Sequence, residues 1–254
     1  MELGMYYKNI VVTGGSSGIG YATAKEFLKE GANVAICGRD PVTLKKAVDR
    51  LTEYGKVIGY IADGSKENDL TDFAEKVVMN WGSIDVWVNN IGTNIPKCKE
   101  FYTNEEMSQI INTCFKSTIY GTNAAVPHMK KRGGAIINVS SLAARIATSG
   151  KSTIYAAMKS AIVNVSINHA VEYARYGIRV NSVMPGYTKT SLVERNFEEK
   201  ELRDILQYNL LKRMADPSEI ARPIVFLASD AASYITGTNL EISGGQSLTL
   251  KIDA

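Results

Sequence analysis

The chain has 254 residues, of which 45% are hydrophobic and 22% are charged, and its formal net charge at pH 7 is +3. This length allows one large α/β domain or two small ones with a proper core. The charge is spread along the chain, with one short basic cluster at residues 130–132, so no nucleic-acid partner is expected. No apolar run approaches a bilayer span, and the N-terminal residues lack the apolar core of a signal peptide, so we expect a cytoplasmic protein without membrane contact.

Side chains that bind metals are scarce. The three cysteines, Cys37, Cys98 and Cys114, show no C-x-x-C spacing, so neither a disulfide framework nor a zinc site is expected. The two histidines, His128 and His169, fit a helix end and a packed helix face, and we expect no metal site from them.

Short β-branched runs alternate with longer helical patterns along the chain. Strands are predicted at residues 10–13, 34–37, 57–61, 86–89, 135–139, 179–184 and 239–242. Helices are predicted at 20–30, 41–54, 69–81, 104–131, 154–176 and 217–229, with a further helical piece at 192–211. This alternation predicts an α/β fold, a single doubly wound parallel sheet in a Rossmann-like three-layer α/β/α arrangement. Ligands of such sheets bind at the carboxyl ends of the strands, where the winding reverses.

The first predicted strand runs into a glycine-rich turn and then into a helical pattern. A helix N-terminus presents unpaired N–H groups and the positive end of the helix dipole, and glycine lets a phosphate approach them. The spacing Gly14, Gly18, Gly20 is not the G-x-G-x-x-G fingerprint of dinucleotide sites. Residues 14–18, GGSSG, also satisfy the G-x-S-x-G pattern of serine hydrolases, with Ser16 as the nucleophile. A strand-to-helix turn without a ligand is the third interpretation.

The end of the second strand bears on the choice between NAD and NADP. A carboxylate there accepts from the ribose 2′-OH and repels a 2′-phosphate. Asp40 precedes Pro41 at the start of a helical pattern, which indicates a helix N-cap rather than a ribose ligand. Gly38 leaves space at this point and Arg39 offers donors to a phosphate, which favours NADP(H). A surface arginine without a ligand is the alternative.

Polar residues also follow the third and fourth strands. Asp63 is placed to accept from an adenine amino group, or else it caps the turn after it. Asn89, Asn90 and Gly92 supply amides that hold adjacent strands together and a glycine that lets a cofactor pass closely. The segment 103–106 predicts a capping box for the helix that follows.

A tyrosine and a lysine stand one helical turn apart in the helix after the fifth strand. Tyr155 and Lys159 share one helix face, and Ser141 lies at the end of that strand. A neighbouring ammonium favours the phenolate, so the pattern predicts that the pKa of Tyr155 falls from about 10 towards working pH, as a general acid or base requires. The Ser141 hydroxyl would bind the oxygen that the tyrosine protonates. Such Tyr/Lys pairs are also common on surfaces.

Together these residues closely resemble the short-chain dehydrogenase/reductase family. The resemblance consists of Thr13-Gly14-x-x-x-Gly18-x-Gly20, Asn89-Asn90-x-Gly92, Ser141, Tyr155-x-x-x-Lys159, Asn181, and Pro185-Gly186 followed by Thr190. It implies one Rossmann-fold domain over 1–254 with a substrate lid at about 187–214. It further implies NAD(P)(H)-dependent hydride transfer to or from a ketone or secondary alcohol.

The resemblance also assigns roles to individual residues. Tyr155 is the implied acid/base, Lys159 its activator and Ser141 the group that orients the substrate oxygen. The implied cofactor residues are Gly14, Ser16, Ser17, Gly18, Ile19, Gly20, Arg39, Asp63, Asn90, Gly92, Tyr155, Lys159, Pro185, Gly186, Thr188 and Thr190. An apolar substrate pocket is expected from Tyr187, Leu192, Val193, Phe197, Leu206, Ile95, Ala147 and Ile154. The implied partners are a small-molecule carbonyl or alcohol and further copies of the chain, as a homotetramer or homodimer.

One departure from the family concerns a catalytic position. Members usually carry an asparagine in the long helix, as part of a proton relay, and that position falls on Cys114 here. Asn112 lies about 200° around an ideal helix from Cys114, so it cannot simply substitute. Either the helix register slips locally or a cysteine serves with another water route. The same departure motivates an alternative function, a dinucleotide-binding protein with weak or lost catalysis.

Overall fold

A computed structural model describes residues 3–94, 101–148 and 150–248. Its seven strands are β1 (Asn9–Val12), β2 (Asn33–Gly38), β3 (Val57–Ile61), β4 (Val86–Asn89), β5 (Gly134–Val139), β6 (Ile178–Pro185) and β7 (Asn239–Ile242). They form one sheet in the order β3-β2-β1-β4-β5-β6-β7, and every pairing is parallel. The predicted fold class is confirmed, and each predicted strand lies within about two residues of an observed one.

Helices connect the strands. They are α1 (Gly18–Lys29), α2 (Pro41–Leu51), α3 (Glu67–Trp81), α4 (Asn104–Ile110), α5 (Ser117–Met129), α6 (Thr153–Tyr173), α7 (Ser191–Asn196), α8 (Glu199–Leu206) and α9 (Pro217–Ala228). Among the described residues, none of the helices combines the length and apolar character that a bilayer span requires.

Both faces of the sheet are buried, as expected for parallel strands with crossover helices. In β1, Ile10 and Val12 face a core shared with α1, α2 and α9. Val11, between them, faces the opposite core, which contains side chains of α3 and α5. Because successive side chains of a strand point to opposite faces, the apolar run of β1 supplies both cores at once. This explains why the strand is apolar throughout rather than alternating.

Three predicted helices differ from the structure. The helix predicted over 104–131 is divided into α4 and α5 by a π-helical turn, Ile111–Lys116. The piece predicted over 192–211 is two short helices, separated where Phe197 adopts an extended backbone. The helix predicted over 41–54 ends at Leu51 and continues as one 3-10 turn.

The winding of the sheet reverses at β1. This strand pairs with β2 on one side and with β4 on the other. The carboxyl ends of β1 and β4 therefore diverge into different connections, and a crevice forms between them. The glycine turn follows β1 and Asn90 follows β4, so both lie at this crevice.

Candidate active site

A cavity of about 380 Å³ runs along the carboxyl ends of the strands. It is lined by most of the predicted site residues, namely Gly14, Ser16, Ser17, Gly18, Ile19, Arg39, Asp63, Asn90, Gly92, Ser141, Tyr155, Lys159, Pro185, Gly186, Thr188 and Thr190. Two predicted residues, Gly20 and Cys114, are not part of its lining. The cavity thus joins the glycine turn to the tyrosine and lysine of α6.

The glycine turn is shaped to leave the N-terminus of α1 open to the cavity. Gly14 and Gly18 have φ angles of 64° and 54°, which favour glycine. Ser17, the residue before α1, makes no side-chain cap within the described part of the chain, so the first N–H groups of the helix stay available. Gly20 serves packing instead, since a Cβ there would collide with the Gly14 carbonyl and the Asn90 amide. A diphosphate fits this arrangement of donors.

Asn90 fastens the glycine turn to the end of β4. Its Nδ2 donates to the carbonyl oxygens of Thr13 and Gly14, each at 3.2 Å, and its backbone N–H donates to Thr13 Oγ1 at 3.0 Å. The neighbouring Asn89 donates to Asn138 Oδ1 of β5 at 2.9 Å. The two asparagines therefore join three adjacent strands, as the sequence predicted.

The far end of the cavity, beyond the glycine turn, is formed by the ends of β2 and β3. Asp40 accepts from the Thr43 backbone N–H at 2.7 Å and caps α2, as predicted. Gly38 has no side chain to fill the space beside Ser16, since a Cβ there would lie 3.0 Å from Ser16 Oγ. The cavity therefore stays open at the end of β2. Arg39 is exposed and lines the cavity beside Asp63.

Asp63 caps the turn after it and lies at the cavity, while its contact with an adenine stays a prediction. Its carboxylate accepts from the Ser65 backbone N–H at 3.0 Å and from Ser65 Oγ at 2.8 Å, which caps the following turn. It also lines the cavity. Partial burial acts to raise the pKa of Asp63, but the Ser65 hydrogen bonds and the charge of Arg39 outweigh it and hold the pKa below its ordinary value.

Tyr155, Lys159 and Ser141 meet at the other end of the cavity. Tyr155 is 7% exposed and Lys159 is 3% exposed. Lys159 Nζ donates to the Val139 carbonyl at 2.8 Å and lies 5.7 Å from the centroid of the Tyr155 ring. Ser141 lies two residues after β5, and its side chain forms a hydrogen bond with Tyr155. The three groups thus share one wall of the cavity.

The pKa values at this wall differ from the sequence expectation. Burial raises the pKa of the Tyr155 phenol well above its ordinary value, the Cys114 thiol adds to the rise, and the Ser141 hydrogen bond offsets part of it. Burial lowers the pKa of Lys159. The predicted fall in the pKa of Tyr155 is therefore wrong for this chain's own groups, because desolvation outweighs the neighbouring ammonium.

Cys114 lies behind the cavity wall, in the middle of the π-helical turn. Its Sγ donates to the Thr93 carbonyl at 3.1 Å and accepts from the Thr93 backbone N–H at 3.4 Å. A Cβ on Gly92 would lie 3.2 Å from Lys159 Nζ and 3.9 Å from this sulfur. The π-helical turn is the local slip of the helix register that one sequence alternative described, and the other, a cysteine that serves with another water route, stays a prediction. Thr113, rather than Asn112, lines the cavity.

The segment after β6 lines one side of the cavity. Tyr187, Val193, Phe197 and Leu202 form a small buried cluster within it. Thr190 caps α7, and a Cβ on Gly18 would lie 3.2 Å from Thr190 Cγ2, so the segment reaches the glycine turn. We call residues 187–214 the cover segment.

Only part of the predicted substrate pocket lies on the cavity. Tyr187 and Val193 line it, whereas Phe197, Leu206, Ala147 and Ile154 do not. Ile95 falls outside the described residues, as does the side chain of Leu192.

Several lining residues were missed from the sequence. They are Lys151, Thr148, Thr93, Thr113 and Gln246. Lys151 stands four residues before Tyr155, just as Lys159 stands four after it, and this symmetric spacing was a usable signal. Within the ranges that the structure describes, no group of three or more His, Cys, Asp or Glu side chains could hold a metal ion.

Comparisons with known proteins place the chain in a family. A sequence profile described as "Enoyl-(Acyl carrier protein) reductase" matches residues 14–247. The chain is 37% identical over 242 residues to the 3-oxoacyl-[acyl-carrier-protein] reductase FabG of Thermotoga maritima, covering 94% of this chain and 97% of that one.

Solved structures agree with this assignment. A short-chain type dehydrogenase/reductase from Mycobacterium marinum superposes with a TM-score of 0.91 at 30% identity, covering 96% of this chain and 97% of that one. The L-sorbose reductase from Gluconobacter frateurii, complexed with NADPH and L-sorbose, gives a TM-score of 0.91 at 30% identity, covering 98% and 100%. These matches span the glycine turn, the α6 pair and the cover segment together, and they replace the serine-hydrolase interpretation of residues 14–18. The chain belongs to the short-chain dehydrogenase/reductase family, whose members bind a nicotinamide cofactor, and it is an oxidoreductase acting on C=O or CH–OH groups.

Proposed function

We infer that this protein is an NADP(H)-dependent oxidoreductase that interconverts a ketone and a secondary alcohol, with Tyr155 as the general acid/base. One observation carries the proposal. A single cavity runs from Arg39 and the open N-terminus of α1 to the Tyr155, Lys159 and Ser141 wall. A dinucleotide along this path would be held by Arg39 at one end, by the N-terminus of α1 at its diphosphate, and by the residues around Tyr155 at its nicotinamide.

The preference for NADP(H) rests on the end of β2. Asp40 is engaged in capping α2, so its carboxylate does not compete with a 2′-phosphate. Gly38 leaves room and Arg39 supplies a guanidinium, the side chain best suited to bind phosphate through two donors. The complex of the Gluconobacter frateurii relative with NADPH is consistent with this choice.

In the direction of reduction, the chain's own residues orient the substrate and deliver the proton. When bound, a reduced nicotinamide would supply the hydride, with its electron pair, to the carbonyl carbon. Ser141 holds the carbonyl oxygen, and Tyr155 donates its phenolic proton to that oxygen as the C=O π pair moves onto it. The phenol of Tyr155 is protonated near neutral pH, so the proton is in place for transfer, although its raised pKa makes it a weaker acid than an ordinary phenol. The positive charge of Lys159 stabilises the tyrosinate that forms. Water then returns a proton to Tyr155.

The cover segment completes the site. Its Tyr187 and Val193 present apolar surface to the cavity beyond Tyr155. We assign to it the exclusion of water from the reacting carbonyl and the binding of the substrate's apolar part.

The test compares Tyr155→Phe with a matched substitution on the same helix, Tyr173→Phe. NADPH consumption is followed with a panel of ketones, and NADPH binding is measured separately. Removal of a general acid costs about 10²–10⁴-fold in turnover, so we expect that loss for Tyr155→Phe, with NADPH affinity retained and Tyr173→Phe active. Turnover that survives Tyr155→Phe would refute the assigned role, and tighter binding of NADH than NADPH would refute the cofactor.

A further inference from the structure

We propose that Lys151 is an anion-binding group of the substrate site, so that the preferred ketone or alcohol carries a carboxylate. This inference rests on the proposed function and adds a substrate class to it. The residues around Tyr155 carry the argument.

Lys151 reaches the reacting end of the cavity. It lines the cavity, and its Nζ lies 5.3 Å from the centroid of the Tyr155 ring and 6.0 Å from that of Phe197 in the cover segment. Lys159 Nζ lies 5.7 Å from the same tyrosine ring. Two ammonium groups thus adjoin one phenol. Lys159 donates to the Val139 carbonyl, and Lys151 lies between the tyrosine and the cover segment.

The backbone on both sides of Lys151 is fixed. Asn94 donates from Nδ2 to the Gly150 carbonyl at 3.1 Å and accepts at Oδ1 from the Ser152 backbone N–H at 3.3 Å. Gly150 has a φ of 68°, and a Cβ there would collide with the Phe197 ring. Ser152 caps α6 by accepting from the Tyr155 backbone N–H at 3.1 Å. The structure therefore holds Lys151 and Tyr155 in one rigid unit, as a recognition group beside a reacting group must be.

The charges at this end favour an anion. The charged side chains of the described cavity lining are Arg39, Asp63, Lys151 and Lys159. The carboxylate among them, Asp63, is at the opposite end, near Arg39. The N-terminus of α6 adds the positive end of a 21-residue helix next to Lys151.

The protonation of Lys151 fits this assignment. Burial and the charge of Lys159 lower the pKa of Lys151 to about 8, so it remains largely charged at neutral pH. A buried cation is stabilised when an anion binds beside it.

A neighbouring hydroxyl offers a second donor. Thr148 also lines the cavity, and its buried Oγ1 has no hydrogen-bond partner among the described residues. The Lys151 backbone N–H donates to the Thr148 carbonyl at 3.4 Å, so the two residues belong to one turn. A carboxylate that binds Lys151 would satisfy this hydroxyl as well.

The test uses substrate pairs that differ only in charge: 5-oxohexanoate with its methyl ester, and 3-oxobutanoate with its methyl ester. They are compared in wild type, Lys151→Gln, Lys151→Arg and Lys131→Gln, an exposed control outside the cavity lining and outside the cover segment. We expect wild type to prefer one carboxylate over its ester by at least about tenfold in kcat/KM. Lys151→Gln should reduce that ratio about 10–100-fold, as loss of a hydrogen bond to a charged group does, while Lys151→Arg and Lys131→Gln retain it.

Three results would overturn the proposal. One is a carboxylate-to-ester ratio that Lys151→Gln leaves unchanged. Another is an equal loss of kcat/KM for acid and ester together with weaker NADPH binding, which would assign Lys151 to the cofactor site. The third is a shifted pH profile for ester reduction with an unchanged ratio, which would make Lys151 a positioning residue for Tyr155.

A binding experiment separates this inference from the proposed function. Tyr155→Phe loaded with NADPH, with and without Lys151→Gln, is titrated with each acid and ester by fluorescence quenching. If an acid binds more tightly than its ester and Lys151→Gln removes that difference, the anion site is supported even if wild type reduces no ketone. The absence of ketone reduction would refute only the proposed function. Equal binding of acid and ester overturns the anion site.

Discussion

Replacing Arg39 by alanine is expected to weaken NADPH binding about tenfold and to leave NADH binding unchanged. A hydrogen bond to a charged group contributes about 1.5–3 kcal/mol, and the exposure of Arg39 places it at the low end. About 1.4 kcal/mol corresponds to a tenfold change in Kd. Asp63, whose pKa is held down in part by Arg39, would then face the 2′-phosphate without a compensating cation, so tenfold is the smaller end of the expected effect.

The assay is a parallel titration of wild type and Arg39→Ala with NADPH and NADH, followed by cofactor fluorescence at low and moderate salt. Arg50→Ala is the control, because Arg50 is an exposed residue of α2 outside the cavity lining and its loss changes the net charge equally. Removal of a phosphate contact should also reduce the salt dependence of NADPH binding. An NADPH affinity indifferent to Arg39→Ala, or lost equally in Arg50→Ala, would refute the assignment of Arg39 to a phosphate.

Two further predictions concern stability. Asn94→Ala leaves the Gly150 carbonyl and the Ser152 N–H without their side-chain partner. We expect the free energy of unfolding to fall by about 2–3 kcal/mol and the Tm in thermal denaturation to fall by roughly 4–10 °C. An unchanged Tm would contradict this prediction. Hydrogen bonds from Arg213 and from the Asp216 backbone lower the pKa of Glu219 to about 2. Glu219 therefore stabilises the fold above its unfolded pKa of about 4.3, and the gain disappears as pH falls towards 2. In urea unfolding, wild type should have a larger free energy of unfolding than Glu219→Gln at pH 7 and about the same value near pH 2. A difference in unfolding free energy that is equal at the two pH values would argue against the pairing.

Local sequence patterns predicted the features that depend on neighbouring residues. The cap by Asp40 and the capping box of Thr103 and Glu106 were predictable because each needs only a side chain and an N–H three residues on. Strand positions followed from short apolar runs, since a strand buried on both faces must be apolar throughout.

What the sequence did not predict depends on tertiary packing. The π-helical turn is stabilised by hydrogen bonds between Cys114 and the backbone of Thr93, a residue 21 positions earlier. A contact over this distance along the chain leaves no local sequence pattern that predicts the turn. The rise in the pKa of Tyr155 comes from burial, whereas the pattern showed only the helical neighbour Lys159. The backbone beside Lys151 is held by Asn94, from the segment after β4, which only the folded chain brings next to it.

The π-helical turn between α4 and α5 has a consequence for insertions and deletions. A π turn stores one residue beyond the α-helical count, so losing a single residue from Ile111–Lys116 would leave an ordinary continuous helix. The helices on its two sides would keep nearly their present orientations, because the wider turn is what accommodates the extra residue. The side chains within the turn would change their spacing, so the contact of Cys114 with Thr93 is at risk while α5 keeps its buried face against the sheet. A chain shortened here could thus retain its fold and still lose the packing behind Gly92 and Lys159. The number of residues in this turn, rather than their type, then determines whether the site keeps its geometry.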